Sequence, residues 1–166
     1  MTTLIDRIAS LTNLVAAVGC GLVAGVMLAF SISVLPGLAS LPVTDAVAAM
    51  QRFNAAILNP LFLTLFLGTA VSCALATILT FSTGHDSPVL VLAGAVLYVV
   101  GCFAVTMALN VPLNDALAGV DPGSPAGAQM WHNFTDRWTV WNNVRTVAAT
   151  AACAVLILGQ GRSVLG

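Results

Sequence analysis

Near the end of the chain, Trp138, Trp141, Asn142 and Arg145 stand at i, i+3, i+4 and i+7, the spacing that lines side chains along one face of a helix. An arginine and an amide beside indole rings form a group of donors able to hold a developing negative charge on oxygen. The indoles offer flat apolar faces on which an aromatic ligand can stack. Just upstream, Trp131-His132-Asn133 places an imidazole four residues before Asp136. On a helix that pair is either an Asp-oriented imidazole able to accept a proton or a surface ion pair.

Two further clusters carry amides. Met50-Gln51-Arg52-Phe53-Asn54 leads to Asn59-Pro60, with Gln51 and Asn54 on one helical face. Asn110-Val111-Pro112-Leu113-Asn114 closes a long apolar run; its asparagines either cap a helix end or reach a ligand. Each residue also has a purely structural reading. Trp131 and Trp138 suit an interfacial belt, and Arg145 a guanidinium snorkelling to the interface. The convergence of all these groups at similar depth on one side argues for a ligand site.

The elements that position them are membrane spans. Of the 166 residues 59% are hydrophobic and 7% charged, far below the charge of a soluble domain. There is no Lys and no Glu, only five Arg and six Asp, and the net charge of −1 excludes the basic footprint of a nucleic-acid binder. Charge-free stretches separate Arg7 from Asp45, Arg52 from Asp86 (His85 aside) and Asp86 from Asp115. Each can house the roughly 20 apolar residues that cross a bilayer. They predict spanning helices at Leu14–Leu35, Leu58–Phe81 and Pro88–Leu109, with a fourth over residues 140–161. Between Arg145 and Arg162 only 16 residues intervene, so the fourth span must carry Arg145 at or just inside the interface. An ionisable residue so placed is a functional candidate.

The fold expected is all-α: one polytopic membrane domain over residues 1–166, a four-transmembrane-helix bundle with short extramembrane helices in its two long loops. The first apolar run exceeds a signal peptide's and reads as an uncleaved helix. Both termini and the turn Ser82–Ser87, with His85 a solvated turn residue, share one side; Pro36–Ile57 and Asn110–Trp138 share the other. In the first long connection Thr44 or Asp45 is placed to cap a helix over Ala46–Ile57. In the second, Ser124-Pro125 starts a helix running through Trp141 into the fourth span, after a turn over 121–125. Arg7 and Arg162 against Arg52 and Arg137 leave the positive-inside count nearly balanced, and Arg7 tips it toward cytoplasmic termini in the cell membrane.

Cys20, Cys73, Cys102 and Cys153 fall one per span, without metal-ligand spacing, and read as small packing residues. Ala17, Gly21, Gly25, Ala29 and Ser33 form a four-residue stripe of the kind that brings helices close. One histidine on the long-loop side predicts no multi-histidine metal centre. Phosphate loops, nucleophile elbows and zinc motifs are absent.

Taken in order, Phe30…Pro36, Met50-Gln51-x-x-Asn54…Asn59-Pro60, Asn110-x-Pro112-Leu113-Asn114 and Trp138-x-x-Trp141-Asn142-x-x-Arg145-Thr146 resemble the anthrone oxygenase-like family of small integral membrane proteins. The match covers nearly the whole chain, and its final two motifs are the specific ones. The resemblance implies a four-helix membrane fold. In some members it implies oxidation of an anthrone to an anthraquinone by molecular oxygen, with no added cofactor. Carried onto this sequence, its motif residues are Gln51, Asn54, Asn59, Asn110, Pro112, Asn114, Trp141, Asn142 and Arg145.

The oxygenase reading assigns Arg145 with Asn114 or Asn142 to an enolate oxygen. It makes His132 the base, with Asp136 or Asp115 as lesser candidates, and stacks a hydrophobic small molecule on Trp138 and Trp141. Gln51, Asn54, Asn59, Asn110 and Pro112 complete the expected binding surface. The alternative is a non-catalytic membrane module that binds a lipid or small molecule, or an accessory subunit of a homo-oligomer or larger membrane complex. The scarcity of proton carriers favours that alternative.

Overall fold

The computed structural model describes residues 4–83 and 87–160; His85, Asp86 and Arg162 lie outside the described residues. Those described are helical almost throughout, with no strand among them. Five helices follow one another: α1 (Leu4–Ala39), α2 (Val43–Ala56), α3 (Pro60–Thr83), α4 (Pro88–Ala118) and α5 (Pro125–Leu158). All except α2 are long and apolar enough to cross a membrane. The chain is therefore a multi-pass membrane protein with an all-helical bundle.

Three of the four long helices outrun the apolar stretches on the long-loop side. The 34 residues of α5 measure about 50 Å at the α-helical rise, against about 30 Å of hydrocarbon. Its start follows local chemistry. The Ser124 hydroxyl accepts from the Gly127 N–H at 3.0 Å, Pro125 occupies the first turn, and the preceding turn is closed by Gly123 N–H on Asp121 Oδ1. Ser124→Ala is expected to lower stability by about 1 kcal/mol, readable as the unfolding midpoint in detergent.

Two local expectations are corrected. Helix α2 begins at Val43 after an extended Pro42 (φ −52°, ψ 141°) and has no side-chain cap, so Thr44 and Asp45 lie in its first turn. There Asp45 faces the positive helix end instead of capping it. The stripe of small residues on α1 also packs only in part: Ala17 is buried, but Gly25, Ala29 and Ser33 are exposed. Within the stripe Gly21 comes close to α5, a Cβ there lying 3.3 Å from Cys153 Sγ, but the tightest approaches fall elsewhere. A Cβ on Gly101 would lie 2.6 Å from the Ala148 Cβ, and one on Gly19 would collide with the Thr69 hydroxyl.

Neither α1 nor α4 is a regular α-helix throughout. Wider π-helical turns occupy Phe30–Val34 in α1 and Val99–Ala104 and Thr106–Asn110 in α4. Such turns shift the backbone hydrogen-bond register. In α4 they let the helix continue past Leu109 through Pro112, which has no N–H to give, as far as Ala118.

Two apolar cores result. The bundle core gathers side chains from all four long helices, including Cys20, Val23, Cys73, Tyr98, Cys102 and Leu156. Cys20 and Cys73 meet at 3.9 Å and all four thiols are free, consistent with their packing role. A second core on the long-loop side unites Leu38, Val47, Met50, Leu117, Trp131, Phe134 and Trp138, seating α2 on the protruding ends of α1, α4 and α5. Outward-facing Leu22, Val71, Val100 and Val147 are each more than half exposed, the lipid-facing surface of the bundle.

Candidate functional site

Where the two cores meet, Trp138 and Arg145 are each 4% exposed, and Asn110 and Asn142 are fully buried. Arg145 sits thirteen residues before the end of α5, about 20 Å along the helix axis. Its guanidinium turns inward, neither to lipid nor to the headgroups.

Every hydrogen bond of that guanidinium goes to a neutral group. Nη2 donates to Asn142 Oδ1 at 2.7 Å and Nη1 to Thr106 Oγ1 at 3.2 Å, while the carbon of the guanidinium stands 5.2 Å from the centroid of the Trp138 ring. The Thr106 hydroxyl gives its own proton to the Cys102 carbonyl at 2.7 Å, which leaves its lone pairs for the arginine. Nε is buried and has no partner. Among the described residues no carboxylate pairs with Arg145. A cation held out of water without a counter-charge is costly, and the cation–π contact recovers only part of that cost.

The groups that hold this arginine are themselves held. Asn142 Nδ2 donates to the Met27 carbonyl at 2.8 Å and to Ser31 Oγ at 2.7 Å, and Ser31 donates onward to Asn143 Oδ1 at 2.7 Å. Asn110 Nδ2 donates to the Trp138 carbonyl at 3.3 Å, and the indole N–H of Trp138 donates to Asn114 Oδ1 at 2.8 Å. Ser31, Thr106 and Asn110 all stand in the π-helical turns, whose altered register aims them at α5. Phe30 packs on Trp138 with ring centroids 5.7 Å apart, and a stacked row continues through Phe134 to Trp131.

Arg145, Trp138, Asn114, Thr106 and Asn54 face a common cavity of about 80 Å³, whose apolar wall comes from Val26, Met27, Phe30, Ile57, Leu58, Phe62 and Val111. Asn54 Nδ2 is a second buried donor there with no partner. Two residues that border this aromatic-walled space thus each carry a buried N–H donor without a partner, and one of them carries an uncompensated positive charge.

The other motif residues are placed elsewhere. Gln51 Nε2 donates to the Leu117 and Val120 carbonyls at 2.9 and 3.0 Å, tying α2 to the end of α4. Asn59 caps α3, its Oδ1 accepting from the Phe62 N–H at 3.0 Å. Pro112 is exposed, and Trp141 is half-buried and outside the cavity wall. His132 and Asp136 line a separate, shallow groove of about 560 Å³ together with Trp131 and Ser31. Both are exposed, as is Asp115. Among the described residues no three His, Cys, Asp or Glu side chains gather as a metal site.

Ser31, Thr106 and Phe62 belong to the site yet escape motif reading, because each is a common residue in an apolar helix. The one signal for the first two is a hydroxyl inside a spanning segment.

A membrane bundle with a buried, unpaired arginine above an aromatic cavity is the class of protein that fold and site define. Residues 53–155, more than half of the chain, match the anthrone oxygenase family, and the chain belongs to that family. No curated protein and no solved structure matches it.

Proposed function

We propose that this protein is a membrane oxygenase that oxidises a hydrophobic aromatic substrate of the polyketide type with molecular oxygen at the Arg145 cavity. One observation carries the reading: a guanidinium fixed by Asn142 and Thr106, over Trp138, on a residue that borders an aromatic-walled space and whose Nε is buried without a partner. Membership of the anthrone oxygenase family supports it.

The substrate would be a cyclic aryl ketone with an acidic CH2. Loss of one proton leaves an enolate whose oxygen would receive hydrogen bonds from Arg145 and Asn54, two residues that border the cavity. The carbanion form gives one electron to oxygen. The resulting radical pair recombines into a C–O bond, and the peroxide, once protonated, loses water to leave a second carbonyl. One O2 is consumed and one water released for each CH2 converted to C=O. Phe30, Phe62 and Trp138 would flank the oxygen-bearing edge of the ring system, and Asn114 would keep the indole turned by accepting its N–H.

Purified protein mixed with anthrone tests this through quinone absorbance and oxygen uptake. Removing one preorganised oxyanion donor costs about 10²–10³ in rate, so Arg145→Ala is expected to fall by that factor. Equal rates for wild type and variant would rule the assignment out.

A non-catalytic binding module is the second reading, favoured by a cavity wall without a carboxylate or imidazole. An aromatic molecule that co-purifies in stoichiometric amount, with no oxygen uptake, would select it. For localisation the reading is the cell membrane with cytoplasmic termini, from the arginine beside the first helix.

A further inference from the structure

The ligand's charge state is open to inference from the same cavity, and the inference deepens the function proposed above. Among the residues that face the cavity, Arg145 is the one ionisable group; the rest are apolar or neutral polar side chains. His132 and Asp136, the nearest imidazole–carboxylate pair in sequence, border the other groove. A proton acceptor is therefore missing from the wall at which the enolate would form. A counter-ion for the buried cation is missing from the same wall. One ligand property supplies both.

We propose that the cavity takes its ligand as an anion: a planar aromatic with an ionised phenol or enol oxygen, its proton given to water at the membrane face and not to a side chain. The O–H bond, or the C–H bond of the keto form, breaks heterolytically. The electron pair stays on the ligand, the proton leaves as hydronium, and no redox change is involved. The oxyanion is then held by Arg145 and Asn54, which both border the cavity and whose Nε and Nδ2 are buried donors without partners among the described residues. An opposite charge within about 4–6 Å favours ionisation by roughly 1–3 pH units, and more strongly where water is excluded.

Size sets how much of the ligand enters. A cavity that takes one benzene ring measures about 150 Å³, so the 80 Å³ here holds the oxygen-bearing edge alone. The remaining rings extend past Leu58, which borders the cavity and is 64% exposed. That side chain sits at the α2–α3 corner, and α3 packs along α1 and α4 without seating on α2. An anion formed at the headgroup level, where water takes the proton, thus slides its charged edge inward along an apolar rim.

2-Naphthol and its more acidic ring-halogenated derivatives are suitable probes, because the naphtholate absorbs at longer wavelength than the naphthol. Titrated with purified protein in detergent, the bound probe is expected to ionise about 1–3 pH units lower than in protein-free micelles. The methyl ether of 2-naphthol, which cannot ionise, is expected to bind at least about tenfold more weakly. In Arg145→Gln the lowered midpoint disappears. A bound probe that ionises where it does in empty micelles, or a methyl ether that binds as well as naphthol, overturns the proposal even if Arg145→Gln fails to fold. Loss of naphtholate binding in His132→Gln also overturns it, since that would place a protein base in the pathway. Naphtholate binding without oxygen uptake on anthrone sinks the oxygenase reading and leaves this one standing; oxygen uptake with a neutral bound probe does the reverse.

Discussion

Arg145→Met is expected to lose about 10²–10³ in turnover while unfolding no more readily than the wild type in detergent. The two effects have one origin. The guanidinium is 4% exposed and has no carboxylate partner among the described residues, so the folded state bears a desolvation penalty of several kcal/mol. Hydrogen bonds to a charged group return about 1.5–3 kcal/mol each, and two are made here. Methionine, unbranched and apolar, removes the penalty and fills much the same volume. It leaves Asn142 Oδ1 without its donor, at about 1–3 kcal/mol. These contributions oppose one another and are of similar size, so the unfolding midpoint stays close to that of the wild type. A midpoint that collapses would show the arginine to be a structural strut. An unaffected rate would remove it from the chemistry.

The second large effect is on stability. Asn142→Leu deprives both the Met27 carbonyl and Arg145 Nη2 of their partner, in a place where water cannot substitute. The expected loss is about 3–5 kcal/mol, because the stranded group is a buried charge. Adding Arg145→Met to Asn142→Leu should restore more than half of it, since the charge that made the loss expensive is then gone. Detergent unfolding of the two single variants and the double variant closes the thermodynamic cycle, and contacting residues of this kind couple by about 0.5–3 kcal/mol. Simple additivity would mean that Asn142 acts through Met27 and Ser31 alone.

That cycle follows a division of labour visible across the site. Arg145 and Asn54 carry the free donors. Asn142, Thr106, Ser31 and Asn110 hold α5 against α1 and α4, so that the donors stay where they are. Gln51 and Asn59 act one step further out. Gln51 fixes the cap helix α2 to α4, and Asn59 starts α3, the helix that brings Phe62 to the cavity. These amides read from sequence as one binding surface are in the structure a graded support.

Composition and charge spacing alone determine that this chain is a helical membrane protein with four spans. In hydrocarbon a backbone must satisfy its polar groups within a helix or a closed barrel, and uncharged runs of about 20 residues match a spanning helix, where a strand needs about 10. Local chemistry likewise determines the Ser124-Pro125 start, because capping involves only neighbours in sequence. Tertiary structure decides which polar residues meet. Helical periodicity puts Trp138, Trp141, Asn142 and Arg145 on one broad face, yet Trp141 stands outside the cavity while Ser31 and Thr106, more than thirty positions away in sequence, enter the arginine's network. Two things produce that outcome and neither is written in residue spacing: the π-helical turns of α1 and α4, which rotate side chains off the regular register, and the packing of α2 as a lid over the bundle. His132 shows the same limit, since a step of thirteen residues along α5 carries it round to a groove on another side of the helix.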